Sequence, residues 1–332
     1  MDPLIKINEL PHSLWFPEYE SGARPNRKGI VKLPEQLRAA YHASLKKCGL
    51  LEAAAAVDDD GEDEGAIGGI EEGAAEDHFA TRFSGSVARM QLYALDPLNK
   101  FVTTLDSLIA TFAAGKVSVL DVPFGVGASS VSIISMLAEL RKEGVLEARP
   151  VVVDVLGGEL DSKAISISKG LIADLSPWWK EQNIDTRFSA QEWDVLSGDS
   201  TMDLLDKWNE EASQCDRCAL VGGNFSGFLA QEPPKGTSQR RMHAASSQIR
   251  QLFARAGKMK AQVYWVEPQT KKAKNHLLPH LHKEAASATK RLSPVFSDHR
   301  LSDSLAQTCV SGKTGDFIVR ASGIHLAPVV PQ

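Results

Sequence analysis

The chain has 332 residues, 43% hydrophobic and 24% charged, an ordinary mixture for a globular enzyme or binding protein that excludes a collagen, a coiled-coil rod and a wholly disordered chain. Its net charge of −5 conceals a wide charge separation: Glu52 to Asp77 holds eleven acids and no Lys or Arg, whereas Lys235 to Arg300 holds fourteen Lys and Arg against Glu267, Glu284 and Asp298. No stretch approaches the ~20 apolar residues of a membrane helix, and the amino terminus lacks the basic-then-apolar run of a secretory signal, so a cytoplasmic protein with no membrane contact is expected.

Residues 1–30, with Pro3, Pro11, Pro17, Pro25, Trp15, Phe16 and Tyr19, read as an extended arm that docks on an apolar surface, its own or a protein partner's. Leu33 to Leu51 has leucine and alanine at helical spacing, with Pro34 suited to a first turn. The acidic tract of about 52–77 follows; its centre, Asp58 to Gly73, lacks large apolar residues and is expected to be a flexible loop. Asp96-Pro97 splits Asp77 to Ala114 into two helical segments, completing a helical amino-terminal region, residues 1–114.

From Lys116 the pattern changes. Five short β-rich runs, Val117–Asp121, Pro150–Leu156, Thr186–Glu192, Arg217–Gly223 and Gln262–Val266, are joined by helix-length connections, which predicts a parallel sheet covered on both faces. Thr270 to Leu292 is long enough for another helix, and Asp303–Val310 and Asp316–Ile324 flank a glycine-containing turn and read as an antiparallel hairpin. The fold expected for 115–332 is therefore α/β, doubly wound around a mostly parallel seven-stranded sheet with an antiparallel last strand. A doubly wound dehydrogenase would continue with another βαβ unit instead.

Cys48, Cys215, Cys218 and Cys309 are too few for a disulfide framework. Cys215 and Cys218 have half the spacing of a zinc site, with His276, His280 and His282 available, but a second Cys-x-x-Cys is missing; they are read as surface and core thiols and no metal is expected.

The strongest chemical signal is Val117-Ser118-Val119-Leu120-Asp121-Val122-Pro123-Phe124-Gly125-Val126-Gly127: an apolar strand ends in a carboxylate, and a tight glycine turn then opens a helix. The segment from Lys116 to about Leu326 resembles the class I S-adenosylmethionine-dependent methyltransferases, whose first motif has an acid and spaced glycines that Asp121, Gly125 and Gly127 match, which makes these three expected cofactor-binding residues. Pro123 replaces the first glycine, so the turn must suit a fixed φ near −65° and do without that N–H.

The resemblance implies S-adenosylmethionine as cofactor and a set of site residues. Glu159, at the end of the second run, would accept from both ribose hydroxyls, with Asp154 as the alternative and Asp161 better suited to capping the next helix. Asp194, after the third run, would accept from the adenine amine, with Val195 or Trp193 against the ring. Asn224 and Ser226, after the fourth run, would face the methyl donor, and Phe225 or Phe228 would stack on a planar substrate. Both prolines of the amine-methylating Asn/Asp-Pro-Pro-aromatic motif are absent. His243 and Glu267 are the available proton acceptors. Arg240, Arg241, Lys271, Lys272 and Lys274 leave the strand ends where the site would lie, which points to RNA or DNA as the acceptor bound through residues 235–300. A small-molecule methyltransferase and a methyltransferase-like interaction subunit are the alternatives.

Overall fold

The computed structural model describes residues 4–6, 9–18, 29–56, 73–101, 104–229, 237–270, 273–288, 291–307 and 316–329. Two short strands, β1 (Trp15–Phe16) and β2 (Ile30–Val31), precede four helices, α1 (Glu35–Cys48), α2 (Leu51–Ala55), α3 (Ala74–Leu95) and α4 (Thr104–Phe112). Strand and helix then alternate through β3 (Gly115–Asp121), α5 (Ala128–Lys142), β4 (Val151–Glu159), α6 (Ser162–Glu181), β5 (Ile184–Glu192), α7 (Gly198–Ala212) and β6 (Arg217–Gly223). The chain continues with a single turn α8 (Ser226–Leu229), α9 (Thr237–Lys258), β7 (Gln262–Pro268), a π-turn (Ala273–Leu277), α10 (Leu278–Ala288), β8 (Leu292–Gln307) and β9 (Asp316–Pro328).

Local chemistry sets several of these boundaries. Gly49, at φ 71°, ends α1 in the left-handed conformation. Asp161 starts α6 by accepting from Lys163 N at 2.7 Å and Ala164 N at 3.4 Å. Helices α2 and the first turn of α3 lie within the 52–77 tract; the rest of it, including nearly all of the expected flexible loop, falls outside the described residues.

The sheet order is β1-β2-β8-β9-β7-β6-β3-β4-β5. Strands β5, β4, β3, β6 and β7 are mutually parallel, and β9 is antiparallel to both β7 and β8. The architecture is α/β with a mostly parallel sheet, compatible with a Rossmann-like fold. The strand count differs from the expected seven: nine strands are described, because the amino-terminal arm adds β2 parallel to β8 and β1 antiparallel to β2. Trp15 is buried there, and the Gln91 amide holds the arm by donating to Leu14 O and Lys32 O. Ile5, Leu10, Leu14 and Trp15 of the arm thus pack on their own chain, whereas Leu4 is exposed.

Strand side chains divide by period two between two apolar layers. Val117, Val119, Val153, Val155, Val221 and Val266 pack with helices α1 to α6, whereas Leu120, Leu156, Leu220, Val263 and Trp265 pack with α7 to α10. The first layer is deep: α5 is buried on nearly every side, and Ser132 Oγ on it donates to Val87 O of α3 at 2.9 Å. Its serines let α3 approach closely, so the helical amino-terminal region shares a core with the sheet. Two buried indoles donate their N–H groups to serines, Trp208 to Ser118 Oγ and Trp179 to Ser135 Oγ. No described helix is long and apolar enough to cross a membrane.

Candidate functional site

Between β4-β3 on one side and β6-β7 on the other the strand order reverses, the point at which open α/β sheets leave a crevice beyond their strand ends. A cleft lies there, walled by the turn after β3, the ends of β4, β5 and β6, the first turns of α5 and α6, and one face of α3.

The β3 turn is tight. The Val122–Pro123 peptide is cis, Phe124 N donates to Gly158 O at 2.9 Å, and Gly127 N closes onto Phe124 O at 2.8 Å. Gly127 begins α5 at φ 79°, and a Cβ there would fall 2.7 Å from Phe124 Cζ, so both conformation and space require glycine. Gly125, at φ 53°, has open space around it and lines the cleft.

Glu159 is the centre of the arrangement. Its Oε2 accepts from Gly125 N at 2.6 Å, and its Oε1 accepts from Leu160 N at 2.9 Å and Asp161 N at 3.0 Å. Burial pushes its carboxyl above the usual range, and these three N–H bonds oppose the rise. One strand over, Asp194 Oδ1 accepts from Leu196 N at 2.8 Å; the other oxygen makes no hydrogen bond among the described residues. Val195 and Trp193 both line the cleft beside it, Trp193 donating its indole N–H to Thr201 Oγ1 at 3.1 Å. At the end of β6, Asn224 sits at φ 57°, its Oδ1 accepting from Arg89 Nη1 of α3. Phe225 and Phe228 stack with parallel rings, centroids 5.7 Å apart. Glu159, Asp161 and Asp194 are the acids of the cleft wall, and no Lys or Arg lines it among the described residues.

Gly125, Glu159, Asp194, Val195, Asn224 and Phe225 are therefore brought together. Several expectations require correction. Asp121 does not line the cleft: it is 1% exposed, and its Oδ2 accepts from Ser130 N at 3.0 Å and Ser130 Oγ at 2.5 Å, capping α5 from below. Gly127 also stands behind the wall, as the residue that starts α5. Ser226 is buried and turned to Glu267, not to the cleft. Glu267 is itself fully buried, accepting from Phe225 N, Ser226 N and Trp265 Nε1, so it is no proton acceptor for a substrate. Asp154 pairs with Lys116 at 3.0 Å and lies within its strand away from the cleft, and His243 is exposed on α9.

The expected basic surface is only partly described. Lys271 and Lys272, and the side chains of Arg240 and Lys274, lie outside the described residues. Arg241 lies over the Phe228 ring, 5.0 Å from its centroid. Arg250 and Arg255 are engaged by Glu284 and Asp206 at 2.7 and 3.0 Å, which removes them from any free positive field. Among the described residues no group of three or more His, Cys, Asp or Glu is placed to hold a metal ion.

The α3 wall was not anticipated. Ala75, His78 and Ser86 line the cleft along one helix face. Burial and the neighbouring Arg82 lower His78 to about 4, keeping its imidazole neutral near pH 7.

Asp121 carries a pH prediction. Burial pushes its carboxyl up to about 7, opposed by the Ser130 bonds and assisted by Glu159. A folded-state value above the ordinary ~4 means the folded chain binds the proton more tightly; that stabilisation is full below about pH 4 and lost as pH rises through about 7. Asp121→Asn, which does not ionise, is expected to gain stability relative to the parent across that window and level off above it. Urea midpoints across this range check it, and parallel profiles would contradict it.

Compared with known proteins, the chain matches no family model, and no curated sequence is significantly similar to it.

Proposed function

We propose that the cleft binds S-adenosylmethionine and that the protein is a methyltransferase. The observation that carries this reading is the Gly125–Glu159 contact: a glycine turn after one strand and a carboxylate ending the next are locked together at the reversal of strand order. The antiparallel β9 beside β7 is in keeping with the class I methyltransferase resemblance.

The donor set suits the group. Glu159 is held at the strand end where a ribose diol would lie; its Oε1 already accepts from Leu160 N and Asp161 N, and its Oε2, which accepts from Gly125 N, keeps a lone pair for a ribose hydroxyl. Asp194 has an uncommitted oxygen for a purine amine, with Trp193 and Val195 as apolar neighbours. Three acids, with no Lys or Arg lining the cleft among the described residues, favour a positively charged ligand. Bound there, the cofactor would supply a methyl group on a cationic sulfur. The chain's contribution is placement, since aligning a nucleophile with that methyl supplies much of the acceleration.

Calorimetric titration with S-adenosylhomocysteine tests the reading. One molecule is expected to bind per chain, and Glu159→Ala to weaken it; a chain that takes up none removes the reading.

A further inference from the structure

We propose that the Arg89–Asn224 pair selects the acceptor: a small planar compound methylated on a hydroxyl oxygen, not on an amine. The inference rests on the cofactor reading above and names the substrate class of that same cleft.

A guanidinium only donates hydrogen bonds, so the Asn224 atom that meets Arg89 Nη1 is the carbonyl Oδ1. The amide cannot flip without setting two donors against each other. The Asn224 backbone is fixed as well: its N–H donates to Val266 O at 3.1 Å, and the preceding Gly223 leaves no room to shift, since a Cβ there would fall 2.3 Å from Val266 O. With Oδ1 committed, the NH2 of Asn224 has no partner among the described residues, and Asn224 lines the cleft. What this residue offers a ligand is a donor.

That donor decides which atom can be methylated. A neutral amine nitrogen has one lone pair, and an N–H aimed at it occupies the electrons that must attack. A hydroxyl oxygen has two, so it can accept from Asn224 and still attack with the other. Transfer then forms the O–CH3 bond as the C–S bond of the methyl sulfonium breaks, the electron pair stays on sulfur, and the hydroxyl proton passes to water. The surroundings suit a flat, uncharged acceptor: Phe225 and Phe228 form the adjoining wall, with Arg241 covering Phe228.

Phenol and aniline, which differ only in OH against NH2, provide the probe. The protein saturated with S-adenosylhomocysteine is titrated with each and followed by NMR shifts, and methyl transfer from S-adenosylmethionine to each is then followed by mass spectrometry. Both compounds are expected to bind, since either can accept from Asn224, and transfer to phenol is expected to be at least about tenfold faster. Asn224→Gly, which keeps the left-handed conformation and removes the donor, is expected to weaken phenol binding about tenfold, the difference one hydrogen bond makes, and to lose most of the preference in transfer. Transfer to aniline as fast as to phenol, transfer to neither, binding of neither by the loaded parent protein, or unchanged phenol binding in Asn224→Gly overturns the inference. Failure to load with S-adenosylhomocysteine overturns the cofactor reading itself, so the two failures are distinct.

Discussion

Replacing Glu267 with alanine is expected to lower stability by about 3 to 5 kcal/mol, the largest loss for any single side chain near the cleft. The carboxylate is fully buried and accepts from Phe225 N and Ser226 N at 3.0 Å each and from Trp265 Nε1 at 2.8 Å. Removing it orphans two backbone donors and an indole where water does not reach, and each such group costs about 1 to 3 kcal/mol. The same bonds hold the start of α8, so Phe225 and Phe228 would also lose their fixed place on the cleft wall. Urea denaturation checks the prediction; a loss below about 1 kcal/mol would show that the three donors find other partners.

The second large effect falls on binding. Asp194→Asn is expected to weaken S-adenosylhomocysteine by about 1.5 to 3 kcal/mol, roughly 10- to 150-fold, with little change in stability. An asparagine oxygen can accept from Leu196 N as Asp194 Oδ1 does, so the local turn survives. It then presents NH2 in place of the uncommitted oxygen, and a purine amine would meet a donor. Unchanged calorimetric affinity in the folded variant would remove Asp194 from the adenine position.

The residues that were legible from sequence share a cause. Runs such as Val117 to Asp121 and Arg217 to Gly223 are short, apolar and bounded by turns, and a strand end fixes where the next residue sits. Glu159 and Asp194 could therefore be placed at the cleft by their position after strands, while the roles expected of them came from the class I methyltransferase resemblance. Asp121 and Ser226 were misassigned because the facing of a side chain inside a turn depends on what packs behind it, here Ser130 and Glu267. His78 and Arg89 were missed because the periodicity of α3 marks its buried side through Phe79, Phe83, Val87 and Met90, while nothing in that helix says that its other side overlooks the strand ends. The basic segment misled in part for the same reason: the pairs Arg250–Glu284 and Arg255–Asp206 exist only once α9 packs against α10 and α7.

The most direct test of the central claim is a crystal structure of the chain with S-adenosylhomocysteine. A ribose hydroxyl is expected within hydrogen-bonding distance of Glu159 Oε2, with the purine amine at Asp194 and the sulfur toward Asn224. Density for the nucleoside away from the Gly125 turn, or none at saturating ligand, would contradict the assignment of this cleft.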